Sequence, residues 1–274
     1  MNHSKGFLFL PKNTMSVKET TINLLHKILE NQDRKTGKQL GKELFKVWSD
    51  TFGLDIDQRE NIPTQYSTAL NAYDSGYCIV YPTRTRLNLL ATIKRLKQNP
   101  NHVLYIGTGP FAPYAIFPLL LGIEAKFTLL EINTYSLDIL KKVVSYFDLD
   151  KYVLDIIEAD ATIWEADRPY ETVLCETPDA GLRREDTFPI YQNLYKQLPK
   201  ATFIPKEIEI LAGTGLTNQV QAFDTLTAAL KRGYLKEDHP IPKEENPFIQ
   251  NRILLDDQYI LEPNASKVTM PLFL

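Results

Sequence analysis

The sequence predicts an α/β fold: a parallel sheet wound from βαβ units, preceded by a helical cap and followed by a short addition. Three observations predict it. Short apolar, β-rich runs alternate with helix-length segments between residues 100 and 212. A turn with two glycines joins the first of these runs to the helical segment behind it. The residues before them carry helical periodicity. The expected divisions are an N-terminal helical segment (1–99), an α/β core (100–212) and a C-terminal addition (213–274).

In order along the chain, residues 17–30 space Ile22, Leu24, Leu25, Ile28 and Leu29 as a helix face, and residues 39–52 do so with Leu40, Leu44, Val47 and Trp48. Residues 83–97 repeat the pattern with Leu87, Leu89, Leu90, Ile93 and Leu96, and Asn99-Pro100-Asn101 ends it. A strand is expected over 102–106, then the turn Gly107-Thr-Gly-Pro110 and an apolar helix to Leu121. Further strands are expected over 126–132, 153–158 and 171–175, with a helix over 136–147. Beyond Lys200 come strands over 202–204 and 208–212, a helix over 220–230 and a polar, Pro-rich stretch over 236–247. Two last strands, 252–255 and 258–261, are expected to pair across Asp256-Asp257.

Composition excludes several classes. Charged residues make up 24% of the chain and hydrophobic ones 43%, which is ordinary for a globular protein and unlike disorder, collagen or coiled coil. A net charge of -3 provides no basic field for nucleic acid, so none is expected as a partner. Cys78 and Cys175 cannot build a disulfide framework, which favours the cytoplasm. Neither the apolar run before Pro11 nor that over 115–123, broken by Pro118 and Gly122, suits a signal peptide or a membrane span. His3, His26, His102 and His239 are scattered and no paired Cys occurs, so no metal site is expected.

The strand ends carry the chemistry. Gly107 and Gly109, with Thr108 between them, stand where a strand hands over to a helix, and glycine there allows positive φ and close approach of a ligand to the backbone. Glu131 ends the next apolar run, 24 residues after Gly107, a spacing that suits an acid accepting both ribose hydroxyls of a nucleoside. Asp160, with Ala161 beside it, follows the third run and is placed to meet an adenine amino group. Arg84-Thr85 lies 23 residues before Gly107. The segment CETPDAGLRRED carries Glu176 and Glu185, nine residues apart.

Over residues 84–209 the sequence resembles the class I S-adenosylmethionine-dependent methyltransferases, and within them the protein arginine methyltransferases. The likeness is carried by Arg84-Thr85, the Gly107 turn, Glu131 and the pair Glu176/Glu185. It implies a Rossmann-like methyltransferase sheet, S-adenosylmethionine as cofactor, a homodimer, and methyl transfer to nitrogen. The catalytic residues implied are Glu176 and Glu185, paired carboxylates that in this likeness take the N–H groups of a cationic guanidinium and fix one nitrogen for attack. Those implied for the cofactor are Arg84, Gly107, Thr108, Gly109, Glu131, Asp160 and Ala161.

The sequence departs from that family in three places. Phe111 stands where a third glycine is usual, Tyr105 where the preceding strand usually has an acid, and no Thr-His-Trp tripeptide follows. The long C-terminal β-barrel has no room in the 67 residues after Glu207. A small cationic amine or guanidine therefore suits the site better than protein arginine. Gly107-Thr-Gly-Pro-Phe111 also resembles the turn of nicotianamine synthase-like enzymes, which transfer the aminobutyrate arm of the same cofactor. A third alternative is a non-catalytic scaffold that binds the cofactor.

Overall fold

The structure is a computed structural model, and it describes residues 15–178, 182, 185–214, 220–236 and 246–273. His239 and most of the Pro-rich stretch lie outside the described residues. Helix α1 (Val17–Glu30) opens with a reciprocal cap, in which the Ser16 hydroxyl accepts from the Glu19 amide and the Glu19 carboxylate takes the Ser16 N–H. Helix α2 (Arg34–Phe52) starts at the capping carboxylate of Asp33 and stops at Gly53, which adopts φ +73°. The indole of Trp48, fully buried in α2, donates to Thr21 Oγ1 of α1 at 2.9 Å. Its ring packs edge-on against Phe111 and Phe117. Those two residues flank and form the first helix of the parallel layer, so aromatic packing seats the cap directly behind the two-glycine turn.

A short hairpin follows, β1 (Ile62–Pro63) against β2 (Thr68–Ala69), then helix α3 (Ala72–Tyr77), one 3₁₀ turn at 78–80, and helix α4 (Pro82–Gln98). The parallel layer then alternates strand and helix: β3 (His102–Ile106), α5 (Pro113–Leu120), β4 (Lys126–Glu131), α6 (Thr134–Tyr146), β5 (Val153–Glu158), β6 (Thr172–Cys175), α7 (Thr187–Gln197) and β7 (Thr202–Ile204). Its five strands run parallel in the order β5-β4-β3-β6-β7. Residues 103–106 of β3 are buried on both faces, which is why that strand reads as an unbroken apolar run. The chain reverses its direction of winding between β3 and β6, and open α/β sheets bind ligands at the carboxyl ends of strands at such a point.

The remaining residues form a second, antiparallel sheet: β8 (Glu207–Thr214), β9 (Val220–Thr225), β10 (Pro247–Leu254), β11 (Ile260–Leu261) and β12 (Leu272–Phe273), with helix α8 (Leu226–Arg232) after β9. Its strand order is β11-β10-β8-β9, and β12 pairs with β10. The hairpin expected across Asp256-Asp257 is present, with Leu254 opposite Ile260. The helix expected over 220–230 begins only at Leu226. Five of the first six residues of that stretch pair with β8, Ala222 opposite Leu211 and Thr225 opposite Glu209, with Phe223 at an irregularity in the register, because cross-strand pairing outweighs an apolar spacing that fits a helix. Thr225 then caps α8 by accepting from the Ala228 amide at 3.1 Å. An ion pair from Lys94 of α4 to Asp256, at 2.8 Å, ties this sheet to the parallel layer.

Candidate active site

The C-terminal ends of β3, β4, β5 and β6 open on a cleft roofed by residues of the β1–β2 hairpin and α3. At its base is the two-glycine turn. Gly107 and Gly109 both adopt positive φ, +69° and +56°, and the Gly107 amide donates to Leu130 O at 3.0 Å. A Cβ on Gly107 would lie 2.8 Å from Thr177 Cγ2, so the left-handed turn and the approach of β6 both require glycine. Thr108 is buried in the cleft wall, and its carbonyl accepts from the Ala112 amide ahead of α5.

Glu131 ends β4 with a buried carboxylate held entirely by backbone. Oε2 accepts from the Gly109 amide at 2.7 Å, and Oε1 accepts from Ile132 and Asn133 at 2.9 and 3.0 Å. Burial pushes this carboxyl above its ordinary value, and the three amides oppose that push. A carboxylate offers about four acceptor positions, so the fold itself uses three of them. Asp160 follows β5, and its Oδ1 accepts from the amide and hydroxyl of Thr162 at 2.8 and 2.7 Å. Ala161 is buried in the cleft wall, its carbonyl held by Asn193 of α7 at 3.0 Å.

The opposite end of the cleft is built by side chains. Arg84, in the second turn's reach of α4, points its guanidinium at Glu176 just beyond β6, with Nη2 3.1 Å from Oε1. The Tyr105 hydroxyl donates to Glu176 Oε2 at 2.7 Å. Tyr114 stacks on Tyr105, with centroids 6.0 Å apart, and its phenol bonds the same carboxylate. Burial pushes the Glu176 carboxyl up, while Arg84 and the two phenols pull it down. Glu185 lines the same cleft, and its charge acts on Arg84 together with that of Glu176.

Of the residues predicted for the site, Arg84, Gly107, Thr108, Glu131, Asp160, Ala161, Glu176 and Glu185 all line this cleft, and Gly109 lies at its base with its amide on Glu131. Sequence reasoning missed three features. The roof, including Thr64, Thr68 and Ser75, comes from a two-residue-stranded hairpin and a short helix with no periodic signal. Cys78 lines the cleft, with its sulfur 3.7 Å from Arg84 Nη1. Asp186 sits before α7, where an acid reads as a helix cap, yet its side chain caps nothing. It is 7% exposed, bonds the Thr64 hydroxyl, and leaves Oδ1 without a hydrogen-bond partner.

No family model matches the chain, and no curated protein matches it. Among solved structures it is similar to protein arginine methyltransferase 10 of Arabidopsis thaliana, at 20% identity over 49% of this chain and 40% of that one, with a TM-score of 0.39. It is similar to the PRMT1 enzyme–prozyme heterotetrameric complex of Trypanosoma brucei with AdoHcy, at 11% identity over 70% of this chain and 80% of that one, with a TM-score of 0.48. A third likeness is to StiE O-MT, at 16% identity over 43% of this chain and 40% of that one, with a TM-score of 0.32. The chain thus spans less than half the length of the Arabidopsis and StiE chains it matches.

Proposed function

We propose that this protein is an S-adenosylmethionine-dependent methyltransferase that methylates a nitrogen of a small cationic amine or guanidine. One observation carries the reading. Among the described residues the cleft wall presents five carboxylates, those of Glu131, Asp160, Glu176, Glu185 and Asp186, and one cationic side chain, Arg84. Such a wall favours ligands that are net cationic and that offer one carboxylate to the guanidinium.

S-adenosylmethionine fits that description, with a sulfonium and an ammonium beside a single carboxylate. In this reading Arg84 takes the carboxylate of the cofactor, Glu131 uses its remaining acceptor position on the ribose, and Asp160 meets the adenine amino group beside Ala161. Gly107, Thr108 and Gly109 keep the floor free of side-chain bulk. Bound S-adenosylmethionine would supply a methyl group on a cationic sulfur; the acceptor nitrogen, freed of one proton to the acid pair or to water, would take that methyl as the C–S electron pair returns to sulfur. Glu176 and Glu185 bind the acceptor's N–H groups, orient one lone pair and stabilise the positive charge that grows on nitrogen. The reading includes a homodimer of the cytoplasm, the state that the family resemblance implies.

The test is transfer from methyl-labelled S-adenosylmethionine to a panel of agmatine, arginine and putrescine, with the product weighed by mass spectrometry. A gain of one methyl group supports the reading, and a gain of an aminobutyrate arm replaces it with the alternative transfer. Glu176→Gln is expected to cut turnover about 100-fold, as loss of a positioned electrostatic group does, while S-adenosylhomocysteine affinity stays within a few-fold. Equal turnover in the variant would remove the acid pair from the mechanism.

A further inference from the structure

We infer that Tyr105 is a positioning residue for the acceptor end of the cleft: its hydroxyl fixes the Glu176 carboxylate in one orientation and keeps it ionised when the acceptor arrives. The inference rests on the methyltransferase reading for its purpose, and on the geometry around Glu176 for its content.

Tyr105 lies in β3 with its side chain fully buried, amid neighbours Val103, Leu104 and Ile106 that have no polar side-chain atoms. A buried phenol needs a partner. In the parallel register Tyr105 stands opposite Leu174 of β6, and Glu176 follows two residues later, on the same side of the sheet. The Glu176 amide also donates to Ile106 O at 3.1 Å, so the backbone holds this residue beside β3 after regular pairing has ended. The register therefore delivers the carboxylate to the phenol, and the 2.7 Å contact between them follows.

The two carboxylate oxygens have separate attachments. Oε1 faces Arg84 and Oε2 faces Tyr105, which fixes the carboxylate plane as well as its position. The groups facing Glu176 are Arg84 from α4, Tyr105 from β3, Tyr114 from α5, Cys78 from the 3₁₀ turn, Cys175 from its own strand, and Glu185. Burial holds both phenols in the protonated form, so they remain donors at any physiological pH. Only Arg84 among these neighbours carries positive charge. The phenols and Arg84 together give back part of the stabilisation that burial takes away from the anion. A strand acid at position 105 would instead set a second negative charge against Glu176, so tyrosine here is consistent with a site that keeps Glu176 as its anion.

The deciding experiment is an infrared titration of the Glu176 carboxyl band, assigned by its loss in Glu176→Gln, in the full chain and in Tyr105→Phe. Removing the hydroxyl is expected to move that titration to higher pH. Methyl transfer to agmatine is expected to lose about 10-fold in kcat/KM, the scale of one hydrogen bond to a charged group. Its acid limb moves to higher pH with it, while S-adenosylhomocysteine affinity stays within about 3-fold, since the hydroxyl lies on the acceptor side. Tyr114→Phe, which removes the second phenol from the same carboxylate, shifts the band in the same direction and serves if Tyr105→Phe does not fold. An unmoved Glu176 band in the variant overturns the assignment whether or not methyl transfer is found. A moved band in a protein that methylates none of the panel overturns the proposed reaction and leaves the role of Tyr105 standing.

Discussion

Glu131 and Glu176 end neighbouring parts of one sheet; Glu131 is buried, the Glu176 side chain keeps only 12% of its exposure, and burial raises both carboxyls above their ordinary value. They differ in what holds them. Glu131 is held by three backbone amides, from Gly109, Ile132 and Asn133. Glu176 is held by the side chains of Arg84, Tyr105 and Tyr114. Backbone donors are set by the strand-to-helix turn and survive any side-chain change nearby. Side-chain donors are each one substitution from loss, and each can be redirected by a ligand. The Glu131 end of the cleft is thus built into the fold, and the Glu176 end is built onto it.

The largest expected effect tests the second half of that contrast. Arg84→Ala leaves Glu176 without its cation in a site where both side chains are about nine-tenths buried. Breaking a buried pair on one side costs about 3–5 kcal/mol, because the surviving charge stays desolvated. Urea denaturation near neutral pH reads that loss, and Arg84→Met combined with Glu176→Gln is expected to recover a large part of it by removing the stranded charge. If the single variant were as stable as the parent, water would have to reach Glu176, and the side-chain cage would not be what keeps it there.

Glu131→Gln tests the first half and is expected to cost less. The amide can still accept on one oxygen, so it keeps two of the three backbone donors and strands one N–H, at about 1–3 kcal/mol. S-adenosylhomocysteine titration of the same variant is expected to weaken by about 1 kcal/mol or more, the scale of one charged hydrogen bond lost. Loss of stability without any loss of affinity would mean that the backbone amides consume the whole carboxylate and leave nothing for a ribose.

The same contrast decides what was legible in the sequence. The parallel layer was legible because buried strands such as β3 read as apolar runs, and Glu131, Asp160 and Glu176 were legible because each is an acid directly after one. Local geometry places the donors on Glu131, all of which lie within two residues of it or in the two-glycine turn. The cage on Glu176 was not legible. Tyr105 is 71 residues away and reads as core, and the bond between them exists only because β3 and β6 are neighbours in the sheet. Asp186 escaped for a related reason: its position promises a helix cap, and only the fold turns it to Thr64 in the roof. The antiparallel sheet was half legible. The β10–β11 hairpin has a local turn at Asp256-Asp257, whereas β9 has helical spacing and becomes a strand through β8.

The smallest expected effect lies in the pH dependence of stability. Glu131 and Glu176 hold protons more tightly folded than unfolded, so their contribution is full below the unfolded value of about 4.5 and is lost as pH rises through the raised folded values. Asp224 and Asp256 have the opposite sign: burial, the largest single influence, pushes each up, but the bonds from Arg232 or Lys94 together with two backbone amides at each hold it below 3.8, and their contribution disappears only on acidification beneath that value. The two windows do not overlap, so unfolding free energies measured from pH 4.5 upward exclude these aspartates; the fall from the buried glutamates is then read against a further fall from Asp186, raised by burial, and a rise from His102, which burial holds below 6.5. Glu131→Gln is expected to remove part of the fall, and Arg84→Ala to extend the remainder to higher pH, because Glu176 without its cation takes up its proton more readily. A fall that Arg84→Ala leaves unchanged would assign it to Glu131 and Asp186, and would mean that Glu176 is already as poorly stabilised with its cage as without it.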